Sequence, residues 1–476
     1  MTDYQWRPIE DLPENWQKLA SSEMTGLFAV WKEQVGRLKD SPAYLEFQAR
    51  LRREWAIETG IIEGLYDINR GVTRTLIEHG LHASLIAHGD ANKPAEEIIP
   101  MLKDHETVVE GLFDFVGQQR SLSTSYIKQV HQALTAHQDT AKGIDSLGRI
   151  IQIPLRRGDW KNRPNNPTRE DGKVHEYCPP EQVSSEMDHL IEIYQRHLQV
   201  DVPPEVEAAW LHHRFTQIHP FQDGNGRVAR ALASLVFLRA GWFPLVVHRD
   251  DRNVYIESLE FADRGDVAPL VRLFSRIQKR AFNQALRLSE QTMLDVDPLE
   301  RIITEAAEHL LSRRIATGTR FELPEQLKSF AMAKMSAIAS KITTELGKID
   351  PRYSVAIETN NPRNDSLLNP QVSEVASRLG YHANTSSYAS WLRIIISEEK
   401  QTILSLSLHT SGAALLDLFA ASAWIEFGNA PLNIQPISKE VFQFSSQEPE
   451  QSVKERFESW LDKVILNGLT LWRERI

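Results

Sequence analysis

The sequence has only one cysteine, Cys178, among 476 residues. A single thiol excludes any disulfide within the chain and any metal site built from several cysteines. Long apolar runs are lacking too, because the longest, residues 413–427, is interrupted by Asp417 and Glu426 and falls short of the ~18 residues of a membrane span. We expect that stretch in the core. The first residues lack the basic stretch and apolar segment of a secretory signal, so we expect a cytoplasmic protein with no membrane partner.

The sequence also has no excess of positive charge. The 54 Lys and Arg residues face 64 Asp and Glu residues, which gives a net charge of -10 and excludes a global attraction to nucleic acid or anionic membrane. Hydrophobic residues make up 41% and charged residues 25%, which is close to globular averages of ~45–50% and ~25% and excludes a wholly disordered chain. The length allows two to four domains of ~100–200 residues.

Helices are predicted for most of the first half of the chain. From about residue 5 to 135 apolar residues recur at spacings of three and four, as in Tyr44, Phe47, Leu51 and Trp55, on a helix that should end near Thr59. Residues 148–172 break this pattern with a short β-like run, a basic cluster and many Pro, Asn and Gly residues. That composition predicts an extended loop or hairpin.

Two further helices are predicted around a short polar loop. The first follows Pro203 and should end near Gln217, because proline is tolerated at a helix start. The second should run from about Asn225 to Arg239, with Gly241 as its C-terminal stop.

The C-terminal third has a different texture. Residues 385–410 alternate in polarity around a polar centre, which predicts two strands joined by a tight turn. We therefore predict a mainly α protein with a mixed α+β C-terminal domain and a boundary near residue 295. The predicted divisions are an N-terminal helical region at 1–110, a helical core at 111–290 and the α+β domain at 296–476.

The stretch 218–241 carries a pattern typical of anion-binding sites. His219 and Asp223 precede a Gly-Asn-Gly turn that leads directly into the second helix. The free N–H groups and positive dipole end of a helix N-terminus form a cradle for phosphate. Arg227 and Arg230 would add two guanidinium donors on one face.

These residue types together favour phosphoryl or nucleotidyl transfer from a nucleotide. Asp223 is a candidate oxygen ligand for Mg²⁺, and a neutral His219 is a candidate base for a hydroxyl proton. Taken singly, His219 could equally be a structural histidine and Asp223 a turn former.

The segment HPFQDGNGRVAR resembles the full signature of the Fic family, His-x-Phe-x-Asp/Glu-Gly-Asn-Gly-Arg-x-x-Arg. The resemblance implies a helical Fic core with a short hairpin flap. It also implies that the core uses ATP and Mg²⁺ to transfer AMP to a hydroxyl side chain, either of another protein or of the chain itself. In that reading His219 is the base, Phe221 anchors the loop and Asp223 holds the metal. The nucleotide-binding residues would be Gly224, Asn225, Gly226, Arg227 and Arg230. Related kinases of the Doc type carry Lys at the position of Gly226, so this chain favours AMP transfer.

A second resemblance lies upstream, where Thr59, Glu63 and Gly64 are similar to the family's inhibitory motif Ser/Thr-x-x-x-Glu-Gly/Asn. The resemblance implies that Glu63 pairs with Arg230 and occupies the site that the γ-phosphate of ATP needs. The alternative is a helix with a surface glutamate.

The flap is the third resemblance. Gly158, Asp159, Trp160 and Lys161 are similar to the family's flap, which binds the target by main-chain hydrogen bonds. The alternative is an ordinary surface hairpin.

Two further positions resemble family positions. Tyr255 is similar to a tyrosine near the nucleoside, with helix core as the alternative, and for His131 we expect a packed histidine.

Other functions stay open at this stage. The same site could remove AMP instead, with Glu63 orienting a water, or the C-terminal domain could make the chain a sensor or regulator. Residues 372–395 faintly resemble a helix-turn-helix around Gly380, but Arg378 and Arg393 supply too little charge for DNA, so nucleic acid is not an expected partner. Three histidines could suggest zinc, but helix packing is the better interpretation: they are His212, His213 and His219. A homo-oligomer is possible.

Overall fold

The computed structural model describes residues 4–144, 149–168, 172–294, 321–350, 352–360, 367–397, 401–412, 418–428, 434–445 and 448–475. The chain divides into two compact units. The first comprises Met1–Ser21 and Leu45–Ala281, and the second Ser22–Tyr44 and Phe282–Ile476. The domain boundary predicted near residue 295 lies outside the described residues, so the predicted division stays a prediction.

Helices dominate the chain up to residue 294, which confirms the predicted fold class. The first five are α1 (Ser22–Leu38), α2 (Pro42–Ile62), α3 (Arg70–His79), α4 (Ala95–Gly117) and α5 (Thr124–Leu134). The next five are α6 (Val183–Gln199), α7 (Pro204–Ile218), α8 (Asn225–Arg239), α9 (Arg252–Asp263) and α10 (Ala268–Leu294). None of the helices among the described residues is both long and apolar enough to cross a bilayer.

Helix α8 lies at the centre of the first unit. Its residues are buried except Gly226 and Arg239, and it packs against α7, α4 and α5. Its bounds match the sequence prediction because glycines stand at both ends: Gly224 (φ 81°) precedes it and Gly241 (φ 77°) follows it in conformations that favour glycine. Such a helix can hold side chains of its first turn rigidly.

A hairpin follows α5. Strands β1 (Thr140–Ile144) and β2 (Ile150–Pro154) pair antiparallel, with Thr140 opposite Pro154. The sequence analysis began the hairpin at residue 148 and missed β1, because TAKGI lacks the alternation that marks a strand. Residues 155–167 then continue without regular structure, as expected for an extended loop.

The second unit contains an antiparallel sheet in the order β3-β4-β5-β6-β7, with β8 also pairing with β6. Its strands are β3 (Ser354–Thr359), β4 (Ala383–Ser397), β5 (Gln401–Ser411), β6 (Leu418–Phe427), β7 (Ile434–Pro436) and β8 (Phe442–Ser445). Its helices after residue 320 are α11 (Glu322–Ile349), α12 (Asn369–Arg378) and α13 (Glu450–Arg473). The two predicted strands are confirmed as β4 and β5. The helix-turn-helix is wrong: α12 is followed by strand β4, since the Ile-rich run 394–396 favours a sheet.

Both faces of this sheet are buried. On β5, Leu404, Leu406 and Leu408 join the core formed with α11 and α13. The alternate residues are polar yet at most 1% exposed, and His409 accepts or donates hydrogen bonds with Ser407 (2.8 Å) and Tyr381 (2.9 Å). Residues 418–427 of the apolar stretch are core strand β6, as expected, whereas residues 413–417 lie outside the described residues.

Helix α1 belongs to this second unit although in the sequence it lies between the two stretches of the first unit. Ser22 Oγ lies 3.1 Å from Ser452 Oγ of α13, and Glu23 lies 3.6 Å from Arg456. Gly26 approaches Glu448 and Ser445 closely enough that a side chain there would crowd both. The second unit is therefore built from two separated stretches of sequence.

Candidate active site

His219 is held at the end of α7 with one ring nitrogen engaged. It adopts a left-handed conformation (φ 52°, ψ 56°), and Nδ1 lies 3.2 Å from the Thr216 carbonyl. Because a carbonyl only accepts, Nδ1 carries the hydrogen and Nε2 has a free lone pair. The face of the His219 ring stacks on Tyr177, with ring centres 3.8 Å apart. Nε2 is therefore the atom that can take up a proton.

The surroundings of His219 keep the ring neutral. Burial lowers its pKa to about 3, and the charge of Lys161 acts in the same direction. His175 adds to the effect, while the bond to Thr216 opposes it. The ring is therefore an unprotonated base throughout the neutral range.

Hydrogen bonds and ring stacking of buried side chains hold the loop between α7 and α8. Asn225 Oδ1 accepts from the Phe221 N–H (2.8 Å), and Asn225 Nδ2 donates to the Phe221 carbonyl (2.7 Å). Phe221 is fully buried, as the sequence predicted, and stacks on His131 with centroids 3.7 Å apart. His131 Nε2 donates to the Asp223 carbonyl (3.0 Å), and its Nδ1 accepts from the Gly158 N–H (2.8 Å). His131 is thus the packed histidine that was expected, and it joins the loop to the flap.

The Asp223 carboxylate lies at the opening of this loop. Its side chain is 39% exposed, Oδ1 accepts from the Gly224 N–H (2.6 Å) and Oδ2 accepts from Gln138 Nε2 (2.7 Å). Mg²⁺ in nucleotide sites is usually held by one or two carboxylates together with substrate phosphates. A single, partly exposed carboxylate beside a helix N-terminus fits that donor set, and the described residues contain no cluster of three or more candidate ligands.

Arg227 is buried to 1% exposure instead of facing the opening. It donates to the Leu134 carbonyl (3.1 Å) and to Gln138 Oε1 (2.6 Å). Because Arg227 occupies that oxygen, the Gln138 amide nitrogen faces Asp223. Arg227 therefore supports the carboxylate through Gln138, and its predicted contact with the triphosphate stays a prediction.

Arg230, also buried to 1%, holds the end of helix α2. It donates to Thr59 Oγ1 (2.6 Å) and to the Thr59 carbonyl (3.0 Å). Its Nη1 lies 2.9 Å from Glu63 Oε1, an ion pair by distance without the alignment of a hydrogen bond. Burial opposes its charge, but Glu63 and Tyr255 outweigh burial and raise the pKa of Arg230.

The Glu63 carboxylate lies against the first turn of α8. A Cβ built on Gly226 would collide with Glu63 Oε1, so only a glycine permits this approach. No side chain caps the N-terminus of α8. Glu63 is 23% exposed, and Gly64 follows with a positive φ of 66° that turns the chain away from α2. A carboxylate therefore occupies the position where the helix N-terminus favours an anion.

A second carboxylate fixes α2 in this position. Glu58 lies four residues before Ile62 and accepts from Arg249 Nη2 (3.0 Å) and from the Arg249 N–H (2.8 Å). Arg249 also donates to Thr73 Oγ1 (2.9 Å) and to the Ile68 carbonyl (2.7 Å).

The structure assigns several other predicted residues to the interior. Tyr255 is 2% exposed and its hydroxyl lies 2.8 Å from His212 Nε2, which fits the alternative of helix core; the nucleoside contact stays a prediction. His213 Nε2 lies 3.1 Å from Asp263, which is helix packing as expected.

The flap residues lie beside the loop. Gly158 bonds His131, and Asp159 pairs with Arg156, while Trp160 packs on Phe221 with centroids 4.8 Å apart. Lys161 is only 3% exposed, so the flap is not merely a solvated surface hairpin.

Three residues that the sequence analysis missed hold the site together: Gln138, Asn165 and Tyr177. Gln138 bridges Arg227 and Asp223, Asn165 bonds the loop carbonyls and Tyr177 stacks on His219. Asn165 stood in a loop already marked as unusual, which is a weak signal. Nothing in the local pattern distinguished the other two.

Comparison with known families agrees with this geometry. Residues 121–237 match the family model described as Fic/DOC family, and this stretch includes α5, the hairpin, α7 and most of α8. The chain therefore contains a Fic/DOC-family domain over these residues.

Curated relatives match over a similar part. The chain is 40% identical over 79 residues to a protein adenylyltransferase Fic of Nematostella vectensis, covering 17% of this chain and 18% of that protein. It is 32% identical over 107 residues to a protein of the same name from Drosophila persimilis, covering 22% of this chain and 21% of that protein. The chain thus spans about a fifth of the length of these relatives.

A solved structure of a Fic domain containing signaling protein from Bacteroides thetaiotaomicron aligns with 57% of this chain and 97% of its own. Its TM-score of 0.47 and identity of 22% support no conclusion of their own.

Proposed function

We propose that this chain is a protein adenylyltransferase that transfers AMP from ATP to a hydroxyl side chain of a target protein. One observation carries the proposal: a neutral histidine, His219, has a free Nε2 and lies on the loop that leads to the uncapped N-terminus of α8, which begins at Asn225 just after Asp223 and Gly224. The named activity of the curated relatives supports the same reaction class.

Each group of the chain has a definite task in this reaction. His219 Nε2 accepts the proton of the target hydroxyl, the hydroxyl oxygen bonds to the α-phosphorus, and the bond from that phosphorus to pyrophosphate breaks. The N–H groups at the start of α8 and the Arg230 guanidinium stabilise phosphate charge. Asp223 would hold Mg²⁺, which when bound neutralises charge on the phosphates.

We further propose that Glu63 inhibits the transfer. Its carboxylate lies beside Gly226 and pairs with Arg230, so it competes with phosphate for the same helix terminus and guanidinium. Because Arg249 donates a hydrogen bond to Glu58, the end of α2 is held in place and the Glu63 carboxylate stays beside α8.

The test is labelling by ATP that carries radioactive α-phosphate, with Mg²⁺, in the parent, in Glu63→Gly, and in Glu63→Gly combined with His219→Ala. We expect strong label in the single variant alone. Glu46→Gly is the control for Glu63→Gly, because Glu46 lies on α2, the helix that Glu63 directly follows, and pairs with Arg50 and Arg53 instead of Arg230. Label from γ-labelled ATP instead would indicate a kinase, and no label from either form would contradict the proposal.

Removal of AMP is the second candidate, and the partly exposed Glu63 carboxylate beside the site favours it. In that reaction Glu63 would orient a water towards the phosphorus. We expect Glu63→Gly to gain transfer and to lose removal from a labelled target if both occur at this site. Removal that persists without Glu63 would exclude this role.

A further inference from the structure

Lys161 is a buried cation whose ammonium has, among the described residues, a neutral side chain as its hydrogen-bond partner. It is 3% exposed, and its Nζ donates to Asn165 Oδ1 (2.8 Å). No carboxylate among the described residues lies within ion-pair distance of Nζ. Burying an ammonium without a counter-charge is costly, so a function for that charge is expected.

Lys161 and Asn165 together bind three consecutive carbonyls of the catalytic loop. The Lys161 N–H donates to the Pro220 carbonyl (2.8 Å). Asn165 Nδ2 donates to the Phe221 carbonyl (2.8 Å) and to the Gln222 carbonyl (3.4 Å). Because Nζ occupies the Asn165 oxygen, the amide nitrogen must face the loop.

A ring connects Lys161 to the candidate base. The Nζ atom lies 5.7 Å from the centre of the Tyr177 ring, and the same ring stacks in parallel on His219 (3.8 Å, 8° between planes). His175 also faces this region, and Asp263 lies 4.0 Å from His175. The Asn166 side chain accepts from the Tyr177 N–H (3.0 Å), which fixes the backbone of the stacking residue.

We propose that Lys161 is a positioning residue for His219. Its ammonium orients Asn165 so that Asn165 holds the loop carbonyls, and it places a positive charge near the base, beside the Tyr177 ring that stacks on His219. This inference rests on the proposed function for its consequence in catalysis, but its effect on the imidazole can be measured without any turnover.

The charge and the clamp have separate consequences. Removing the charge in Lys161→Met should raise the pKa of His219, because a nearby cation disfavours the imidazolium and Lys161 acts in that direction here. Asn165→Ala keeps the ammonium, so it should loosen the loop without raising that pKa. A merely structural lysine would affect stability alone.

The experiment uses the full chain in the Glu63→Gly background with ¹³C-labelled histidine, and His219→Ala identifies the resonance. We expect an upward shift of the His219 titration in Lys161→Met and none in Lys128→Met. Lys128 is the matched control because it contacts the flap at Trp160, with Nζ 4.5 Å from that ring, and is 34% exposed.

Kinetics in the same variants complete the test. We expect Lys161→Met and Asn165→Ala each to lower kcat about tenfold with KM for ATP nearly unchanged, and the double variant to lose little more than either. Additive losses, or a His219 titration that does not move in Lys161→Met, would overturn the proposal. A shifted titration with no AMP transfer in any variant would uphold the positioning role and contradict the adenylyltransferase. If Lys161→Met does not fold, Lys161→Gln gives the same readouts.

Discussion

The two units bury polar groups for different purposes. In the first unit the buried groups converge on the start of α8: Arg230 reaches α2, and His131 joins the loop to the flap. In the second unit, His409 is satisfied by Ser407 of its own strand and by Tyr381, inside a sheet with two covered faces. The first arrangement leaves a carboxylate and an imidazole nitrogen available, whereas in the second both ring nitrogens of His409 are engaged.

This difference separates rate from stability. Changes around α8 should alter chemistry at a modest cost in folding, and changes in the sheet should alter folding without altering chemistry. Four predictions test that contrast.

The largest expected effect is on the rate. In the Glu63→Gly background, His219→Ala should lower AMP transfer about 10²- to 10⁴-fold, because a general base contributes about that much. The melting temperature should change little, since His219 makes one long hydrogen bond (3.2 Å). Transfer rates and thermal unfolding of the same preparations measure both; a large loss of stability would contradict the separation.

Leu406→Ala should have the opposite profile. Leu406 is 2% exposed in the core with α11 and α13, and such a truncation costs about 2–5 kcal/mol. Ser407→Ala, one residue away on the other face, should cost about 1 kcal/mol for the lost hydrogen bond. Hydrogen exchange of peptides from β4 to β6 measures both, and AMP transfer per folded molecule should be unchanged.

Acid should weaken the first unit through His131. Burial lowers its pKa to about 4, whereas an unfolded histidine titrates near ~6.5. The unfolded chain then binds more protons between these values, so the free energy of unfolding falls as pH decreases through that window, by up to about 3 kcal/mol. Hydrogen exchange of α5 and α8 against pH should show this slope in the parent. The same slope in His131→Gln would contradict the assignment.

The smallest effects come from two helical glycines. A Cβ on Gly60 would collide with the buried Tyr66 hydroxyl, so Gly60→Ala should cost about 1–3 kcal/mol. Gly36 of α1 has open space around it, so Gly36→Ala should stabilise by about 0.5–1 kcal/mol. Chemical denaturation of both variants gives the comparison, and equal signs would contradict it.

Prediction from the sequence succeeded for those parts of the site whose structure depends on neighbouring residues in the chain. Gly224 and Gly241 bounded helix α8 correctly, and the predicted pair of Glu63 with Arg230 is present as an ion pair. The inhibitory role of Glu63 stays a prediction. Periodicity does not reveal which neighbour covers a side chain, however. For that reason the burial of Arg227 was not foreseen, and helix core was only one of two predictions for Tyr255.

Other features depended on distant parts of the chain. Strand β1 exists because β2 pairs with it, not because of its own pattern. After Gly380 the chain forms a strand, since β5 offers a partner for β4 from Ala389 to Ser397 and again, beyond a register shift, at Ala383 and Asn384. Gln138 acquires its task only when α5 and α8 come together.

The place of α1 in the second unit affects how the protein can be made. Residues 45–281 stand between α1 and the rest of its unit. At about 5–20 residues per second, a ribosome needs roughly ten to fifty seconds to synthesise them. During that interval α1, whose buried side chains include Leu27 and Trp31, lacks the neighbouring strands β6 and β8. The nascent chain must therefore keep α1 from aggregating while the first unit folds. A fragment that begins after residue 44 would contain residues 45–281 of the first unit, but the second unit would lack α1.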